Sequence, residues 1–178
     1  NKTYPKNIIE EIYKQVKIER SAIVFIGMPS SGKTTVGREL AKRMGREFFD
    51  IDEVVTSLSG KTPEQIILSD GEEFFREVEA KVLKIITSQN RTAVISVGGG
   101  AILKEENREA LKRNSIIIHV ERDLEKLSLS GRPLSKSVDN LKILEEQRMP
   151  IYRDLADFSV DNNQSIEETL RQVEEKLI

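Results

Sequence analysis

The sequence predicts an α/β protein built on a parallel sheet that helices cover on both sides. Short runs that are apolar on both faces, typical of buried parallel strands, alternate with helical segments along the chain. The first of these runs, at residues 22–26, ends in a glycine-containing turn from which a helix follows. Ligands of such sheets bind at the carboxyl ends of the strands, so functional residues are expected there.

Five strands are predicted. They lie at 22–26, 47–51, 93–97, 116–120 and 158–160; the second contains two acidic residues, and the last has a weak pattern. His119 lies inside the fourth run, and we interpret it as a structural residue because its neighbours are apolar.

Helices are predicted before, between and after these strands. The first spans residues 5–19, and its Ile8, Ile9, Ile12, Tyr13 and Val16 are spaced to share one face. The others are predicted at 33–44, from a capping signal at 62–65, at 71–88, at 104–113, at 139–148 with Pro150 disturbing its end, and after a capping box of Ser165 and Glu168. Residues 128–138, which include Gly131 and Pro133, are predicted to form a loop.

Composition excludes several classes of protein. The 178 residues fit one domain, and no repeat or linker divides them. The chain has no cysteine, which excludes disulfides, zinc–thiolate sites and thiol nucleophiles. The net charge of −2 argues against a nucleic-acid surface, and no apolar run approaches the ~18 residues of a membrane span. We therefore expect a cytoplasmic monomer that has no nucleic-acid or membrane partner.

The turn after the first strand is the most specific motif. Residues 27–34, GMPSSGKT, match G-x-x-x-x-G-K-[ST] in full, between a predicted strand and a predicted helix. In such a P-loop the backbone N–H groups converge on phosphate oxygens at a helix N-terminus. Lys33 adds a charge for the outer phosphates, and Thr34 offers a hydroxyl to Mg²⁺. The motif predicts that ATP and Mg²⁺ bind here.

Two aspartates follow the second predicted strand. Asp50 and Asp52 flank Ile51, and residues two apart in an extended segment point to the same side. One carboxylate can hold Mg²⁺ while the other orients an acceptor hydroxyl or accepts its proton. The alternatives are a solvated strand end or a helix cap at Asp52.

Three glycines and three arginines complete the candidate site. Gly98, Gly99 and Gly100 end the third strand, where bare backbone allows close approach of a ligand, although a plain flexible turn is the alternative. Arginine suits bidentate capture of a carboxylate or phosphate, and the candidates are Arg76, Arg132 and Arg148. Arg76 can also pair with Glu79 three residues later, while a helix-end contact is the alternative for Arg148.

Taken together, these motifs resemble the shikimate kinase family. Besides the P-loop, the residues that carry the resemblance are FDID at 49–52, DGEEFFREVE at 70–79, SVGGGA at 96–101, GRPL at 131–134, QRMPIYR at 147–153 and VD at 160–161. The resemblance covers about residues 20–178. It implies a three-layer α/β/α P-loop kinase fold with a five-stranded parallel sheet and a short lid. It also implies ATP-dependent phosphorylation of the 3-hydroxyl of shikimate, a step of aromatic amino acid biosynthesis.

The resemblance also implies a role for each matched residue. Catalytic roles fall to Lys33, Asp52 and Arg132, and Mg²⁺ ligation falls to Thr34 and Asp50. The residues expected to bind nucleotide are Gly27, Pro29, Ser30, Ser31, Gly32, Lys33, Thr34, Thr35 and Arg132. The residues expected to bind shikimate are Asp52, Arg76, Gly98, Gly99, Gly100 and Arg148.

Two alternatives of different kinds remain beside this interpretation. One is a kinase of another small hydroxy acid, such as gluconate, or of a nucleoside monophosphate. The other is a non-catalytic binding module, suggested by the short lid in which only Gly131 separates Ser130 from Arg132. Residues 1–19 lie outside the match, and they are expected to be an added helix or the trace of a fused upstream domain.

Overall fold

A five-stranded, all-parallel sheet forms the centre of the protein. The computed structural model describes residues 6–127 and 137–178. The strand order is β2-β3-β1-β4-β5. The strands are β1 (Ala22–Ile26), β2 (Phe48–Asp50), β3 (Val94–Ser96), β4 (Ser115–Glu121) and β5 (Phe158–Asp161). All five strands predicted from the sequence are therefore confirmed, with small shifts at their ends.

Eight helices are present in the described ranges, and a 3₁₀ turn follows β3 and another follows β4. The α-helices are α1 (Lys6–Arg20), α2 (Lys33–Met44), α3 (Ile51–Ser59), α4 (Pro63–Asp70), α5 (Glu72–Gln89), α6 (Glu105–Lys112), α7 (Val138–Leu155) and α8 (Ile166–Leu177). The predicted capping box at Thr62 is present, since Thr62 and Gln65 exchange both side-chain bonds. None of these helices has the length and apolarity needed to cross a bilayer.

The core consists of two clusters, one on each face of the sheet. Alternate residues of β1 point to opposite faces, so Val24 lies in one cluster and Phe25 in the other. Helices α3 to α7 cover the first face, while α2 and α8 cover the second. This arrangement places β1 between β3 and β4, with the P-loop at its carboxyl end in the middle of one edge of the sheet.

Helix α1 forms where its periodicity predicts, but its apolar face stays exposed. Ile8, Ile9, Ile12, Tyr13 and Val16 keep 42–73% of their surface accessible. Ile18, near its C-terminus, packs against the cluster covered by α2 and α8.

Pro150 does not disturb the helix end as predicted from the sequence, because α7 continues through it to Leu155. Proline removes the bond to the carbonyl of Glu146, but both residues lie on the exposed face, where water can reach that carbonyl. Buried residues on both sides of the proline, including Arg148 and Tyr152, pack the opposite face of the helix. The alternative of a helix-end contact for Arg148 is therefore wrong.

The extended geometry predicted for Asp50 and Asp52 is also wrong. Strand β2 ends at Asp50, and Asp52 lies in the first turn of α3. The Asp50 carboxylate caps that helix by accepting bonds from the backbone N–H groups of Asp52 at 3.0 Å and Glu53 at 3.2 Å. The helix cap is therefore Asp50, not Asp52.

Candidate active site

The P-loop connects β1 to α2 in the manner that its sequence predicts. Gly32 adopts the left-handed conformation, with φ of 97°, directly before the first residue of α2. The buried Lys33 donates from Nζ to the carbonyl of Met28 at 2.7 Å, across the loop. Thr35 is exposed at the start of the helix. The loop therefore presents its lysine and a helix N-terminus at the carboxyl edge of the sheet.

Asn162, which follows β5, bonds to the backbone of the P-loop. Its Nδ2 atom donates to the carbonyl of Ser31 at 2.7 Å, and its Oδ1 accepts from Thr169 at 2.7 Å. Asn162 was not among the candidates identified from the sequence. Its position two residues after the predicted strand 158–160 was the available signal.

Thr34, Asp50 and Ser96 bring three oxygen atoms together beside the P-loop. The Thr34 hydroxyl donates to Asp50 Oδ2 at 2.5 Å and lies 3.4 Å from Ser96 Oγ. Asp50 and Ser96 are neighbours in the register of β2 and β3, which explains why their side chains meet. Within residues 6–127 and 137–178, no three His, Cys, Asp or Glu side chains form a metal-binding group. The Oγ atom of Ser96 adds an oxygen to the two predicted from the sequence.

The glycine turn at residues 98–100 brings the predicted acceptor residues together. A Cβ atom on Gly98 would lie 2.5 Å from Glu79 Oε1 and 3.2 Å from Asp52 Oδ1. One on Gly99 would lie 3.2 Å from Arg148 Nη1, and one on Gly100 would lie 2.6 Å from Arg76 Cζ. We call residues 52, 76, 79, 98–100 and 148 the acceptor cluster. Any side chain in this turn would displace the groups around it, which accounts for the three glycines.

The acceptor cluster adjoins the P-loop directly. The position of a Cβ atom on Gly99 is 3.2 Å from the carbonyl oxygen of Gly27 and 3.0 Å from Pro29 Cδ. The nucleotide loop and the glycine turn are therefore in contact, so groups bound to each would face one another.

Arg76 is held in place from several sides. Its guanidinium bonds Glu79 at 2.7 Å, which confirms the pairing predicted from the sequence, and lies 3.4 Å from Glu72. It also lies 5.2 Å from the centre of the Phe75 ring. Its Nε atom is buried and has no hydrogen-bond partner in the described part of the chain. An anionic ligand would supply that acceptor.

Arg148 projects from the buried face of α7 and is 3% exposed. No carboxylate within the described ranges forms an ion pair with it, and its buried Nε lacks a hydrogen-bond acceptor there. The buried Glu79 carboxylate attracts Arg148, and Tyr152 forms a hydrogen bond with it, but no carboxylate of the described residues pairs with Arg148 at close range, so this guanidinium is suited to an anionic ligand.

Tyr152 bonds the glycine turn directly, and His119 packs against Tyr152. Tyr152 donates its hydroxyl to the carbonyl of Gly99 at 2.5 Å, and its ring stacks on His119 with centroids 5.0 Å apart. Burial raises the pKa of Tyr152 to about 12, and burial, followed by the charges of Lys33 and Arg153, lowers the pKa of His119 to about 4. Both residues are therefore neutral near pH 7. Tyr152 was missed in the sequence, although it lies one helical turn after Arg148.

Glu79 is fully buried, and burial raises its pKa from 4.5 to about 7 despite the opposing charge of Arg76. Because the folded state binds this proton more tightly than the unfolded chain, the group stabilises the fold most below pH 4.5. That contribution is lost as pH rises through 7. We expect the unfolding free energy of the wild type to fall relative to Glu79→Gln, by up to about 3 kcal/mol, between pH 4.5 and 7.5.

Urea unfolding of both proteins across this pH range measures the effect. Glu73→Gln, an exposed position on the same helix, is the matched control and should track the wild type. A difference between wild type and Glu79→Gln that does not change with pH would contradict the assigned titration.

The structure thus brings together all candidate site residues except Arg132. The predicted lid arginine and its loop lie outside the described residues. The alternative of a plain flexible turn for the three glycines does not fit, since each has defined side-chain neighbours.

Both the sequence and the fold of this chain are similar to those of shikimate kinases. The sequence model of the family described as shikimate kinase matches residues 29–178. A shikimate kinase of Symbiobacterium thermophilum is 37% identical over 166 residues, which cover 87% of this chain and 95% of that protein. A structure of shikimate kinase from Acinetobacter baumannii in complex with shikimate superposes with a TM-score of 0.83 at 33% identity, covering 92% of this chain and 96% of that one. The shikimate kinase from Aquifex aeolicus superposes with a TM-score of 0.77 at 34% identity, covering 88% and 95%.

The matched region includes most of the P-loop and the whole acceptor cluster, so the family match and the site geometry concern the same residues. Both the sequence likeness and the superposed fold extend over most of the chain. The chain therefore belongs to the shikimate kinase family and is an enzyme with shikimate kinase activity.

Proposed function

We propose that this enzyme transfers the γ-phosphoryl group of ATP to the 3-hydroxyl of shikimate, with Mg²⁺ as cofactor. The observation that carries the proposal is the contact between the glycine turn and the P-loop: Gly99 lies against Gly27 and Pro29 on one side and Arg148 on the other. A phosphate donor and an acidic acceptor bound to these two neighbouring surfaces would meet.

Shikimate is an acid whose ring carries several hydroxyl groups, and the acceptor cluster matches both features. Arg76 and Arg148 would bind the carboxylate, each charge-assisted bond contributing about 1.5–3 kcal/mol. Backbone groups of residues 98–100 would bond ring hydroxyls. Glu79 would hold Arg76 in orientation through their 2.7 Å ion pair. This arrangement favours a carboxylated acceptor over a neutral one.

The phosphate site is supported by the P-loop geometry. The backbone N–H groups at the start of α2 and the Lys33 ammonium would surround the outer phosphates. Gly27, Pro29, Ser30, Ser31, Gly32, Thr34 and Thr35 would complete this binding surface. From the lid, Arg132 would add a second cation, a role that rests on the resemblance to the family.

The oxygen atoms of Thr34, Asp50 and Ser96 fit a magnesium ion. Mg²⁺ prefers oxygen ligands, and in kinases it takes one or two protein ligands together with phosphates and water. The close approach of the three oxygens, at 2.5 and 3.4 Å, suits such a site. When bound, Mg²⁺ would neutralise negative charge on the outer phosphates.

In the reaction, the acceptor oxygen forms a bond to the γ-phosphorus while the bond from that phosphorus to the β–γ bridging oxygen breaks. Asp52 would orient the hydroxyl and accept its proton, and ADP would leave with the bridging oxygen. Lys33 and Arg132 would stabilise the charge that moves toward ADP.

A monomeric state, a cytoplasmic location and the division of the chain at residue 20 stay predictions.

A coupled assay of ADP release tests this proposal. We expect ADP release to require shikimate and Mg²⁺, with gluconate and AMP, the acceptors of the alternative kinases, giving only the background seen without acceptor. Release of ADP with gluconate or AMP, and none with shikimate, would contradict the proposed acceptor. Binding of both ligands without any turnover would instead favour the non-catalytic binding module.

A further inference from the structure

Arg122 is the first residue after β4, so it lies at the carboxyl edge of the sheet beside the P-loop. Its Nη1 atom is 4.0 Å from the position that a Cβ atom on Gly32 would take, next to the side chain of Asn162. Arg122 approaches the P-loop from the β4–β5 side, whereas the glycine turn lies after β3, on the other side of β1. Arg122 and the glycine turn therefore lie on opposite sides of the P-loop.

The guanidinium of Arg122 lacks partners in the part of the chain that the structure describes. Its Nε atom is buried without a hydrogen-bond acceptor there, and none of the ion pairs in residues 6–127 and 137–178 includes it. Its sequence neighbours are directed elsewhere: Glu121 lies 3.4 Å from the neutral His119 ring, and Asp123 pairs with Lys126. Arg122 as a whole is half-buried, but its Nε donor is buried without an acceptor, which is unfavourable, so this site is suited to an anion.

Space for such a ligand is present. Arg122 lines a cleft of about 650 Å³ between the segment that follows β4 and the end of β5, where Asp161 and Asn163 contribute. Most other charged groups in the cleft are acidic, including Glu125 and Glu145. These carboxylates outnumber the one other cation that the described residues contribute to the cleft, Arg153, and would repel an anion, so the position most favourable for an anion is where Arg122 meets the P-loop.

We propose that Arg122 binds a non-transferred phosphate of the donor nucleotide. The transferred phosphate must face the acceptor cluster on the β3 side, so the remaining phosphates extend from the P-loop toward the opposite side, where Arg122 lies. The planar guanidinium presents several N–H groups and stays charged at all working pH values, which suits a phosphate oxygen. This proposal rests on the proposed role of the P-loop and adds a cation that no P-loop residue supplies.

Arg122→Gln removes the charge but keeps a long polar side chain, and titration calorimetry in Mg²⁺ measures its effect. We expect the affinities for ADP and for inorganic tripolyphosphate both to fall about 10-fold, which corresponds to about 1.4 kcal/mol. Shikimate affinity should not change. Arg122→Lys should recover part of the lost affinity, because lysine restores the positive charge but not the several N–H donors of the guanidinium. Arg91→Gln, an exposed arginine at the opposite edge of the sheet, should bind all three ligands like the wild type.

Each other outcome would overturn the proposal in a distinct way. Weaker ADP binding with unchanged tripolyphosphate binding would assign Arg122 to the base instead of a phosphate. Unchanged affinity for both would remove Arg122 from the nucleotide site. Loss of shikimate affinity together with a lower melting temperature, in both the Gln and the Lys variants, would indicate a purely structural role. Failure of the wild type to bind either phosphate ligand would overturn the proposed P-loop function, and this proposal with it.

Discussion

Replacement of Lys33 by methionine is expected to lower kcat about 10²- to 10³-fold while the fold is retained. The loss of one group that stabilises charge in the transition state has this order of effect. Lys33 is buried in the P-loop, and its ammonium is held 2.7 Å from the Met28 carbonyl, close to the phosphate-binding backbone. Methionine keeps a long unbranched side chain, so the effect mainly reports the lost ammonium group. Steady-state turnover with saturating ATP and shikimate measures it.

Lys42→Met provides the matched control, because Lys42 is an exposed lysine on the same helix. It should leave kcat unchanged, and both variants should unfold within a few degrees of the wild type. Wild-type turnover in Lys33→Met would remove this lysine from the mechanism.

Replacement of Arg148 by alanine is expected to weaken shikimate binding by about 10- to 100-fold, the equivalent of one charge-assisted hydrogen bond or slightly more. ATP affinity should stay nearly unchanged, because Arg148 contacts the glycine turn and Tyr152 and lies in the acceptor cluster. Calorimetric titration with each ligand separately measures the two affinities.

Arg153→Ala, an exposed arginine farther along α7, is the control and should bind shikimate like the wild type. An equal loss of ATP and shikimate affinity in Arg148→Ala would undo the assignment of this arginine to the acceptor carboxylate. It would indicate that the variant disturbs the whole edge of the sheet.

The fold was predictable because its signals are local. The central strands are short apolar runs, since both faces of a parallel sheet are buried there, and α4 begins at a recognisable cap, Thr62. Errors arose where tertiary packing overrides a local rule. Pro150 stays helical because its face is exposed while the opposite face of α7 is buried. The strand at Phe48 ends early because Asp50 caps the next helix.

The candidate site was predictable only in part, for a related reason. The chemistry of Lys33 follows from its residue type and its spacing in the P-loop motif, whereas the role of Arg76 was implied only by the resemblance to the family. The residues that hold the site in place could not be recognised in this way, because they lie far away in the sequence. Asn162 supports the P-loop at Ser31, and Tyr152 supports Gly99. Their roles depend on strand order and helix packing, which no single segment specifies.

A crystal structure with ADP and shikimate bound tests the central claim most directly, namely that the P-loop and the acceptor cluster form one pocket. We expect the β-phosphate of ADP at the N–H groups of residues 32–34, the shikimate carboxylate on Arg76 and Arg148, and the 3-hydroxyl within hydrogen-bond distance of Asp52. Binding of shikimate at a surface remote from the glycine turn, or with its carboxylate away from both arginines, would contradict the account.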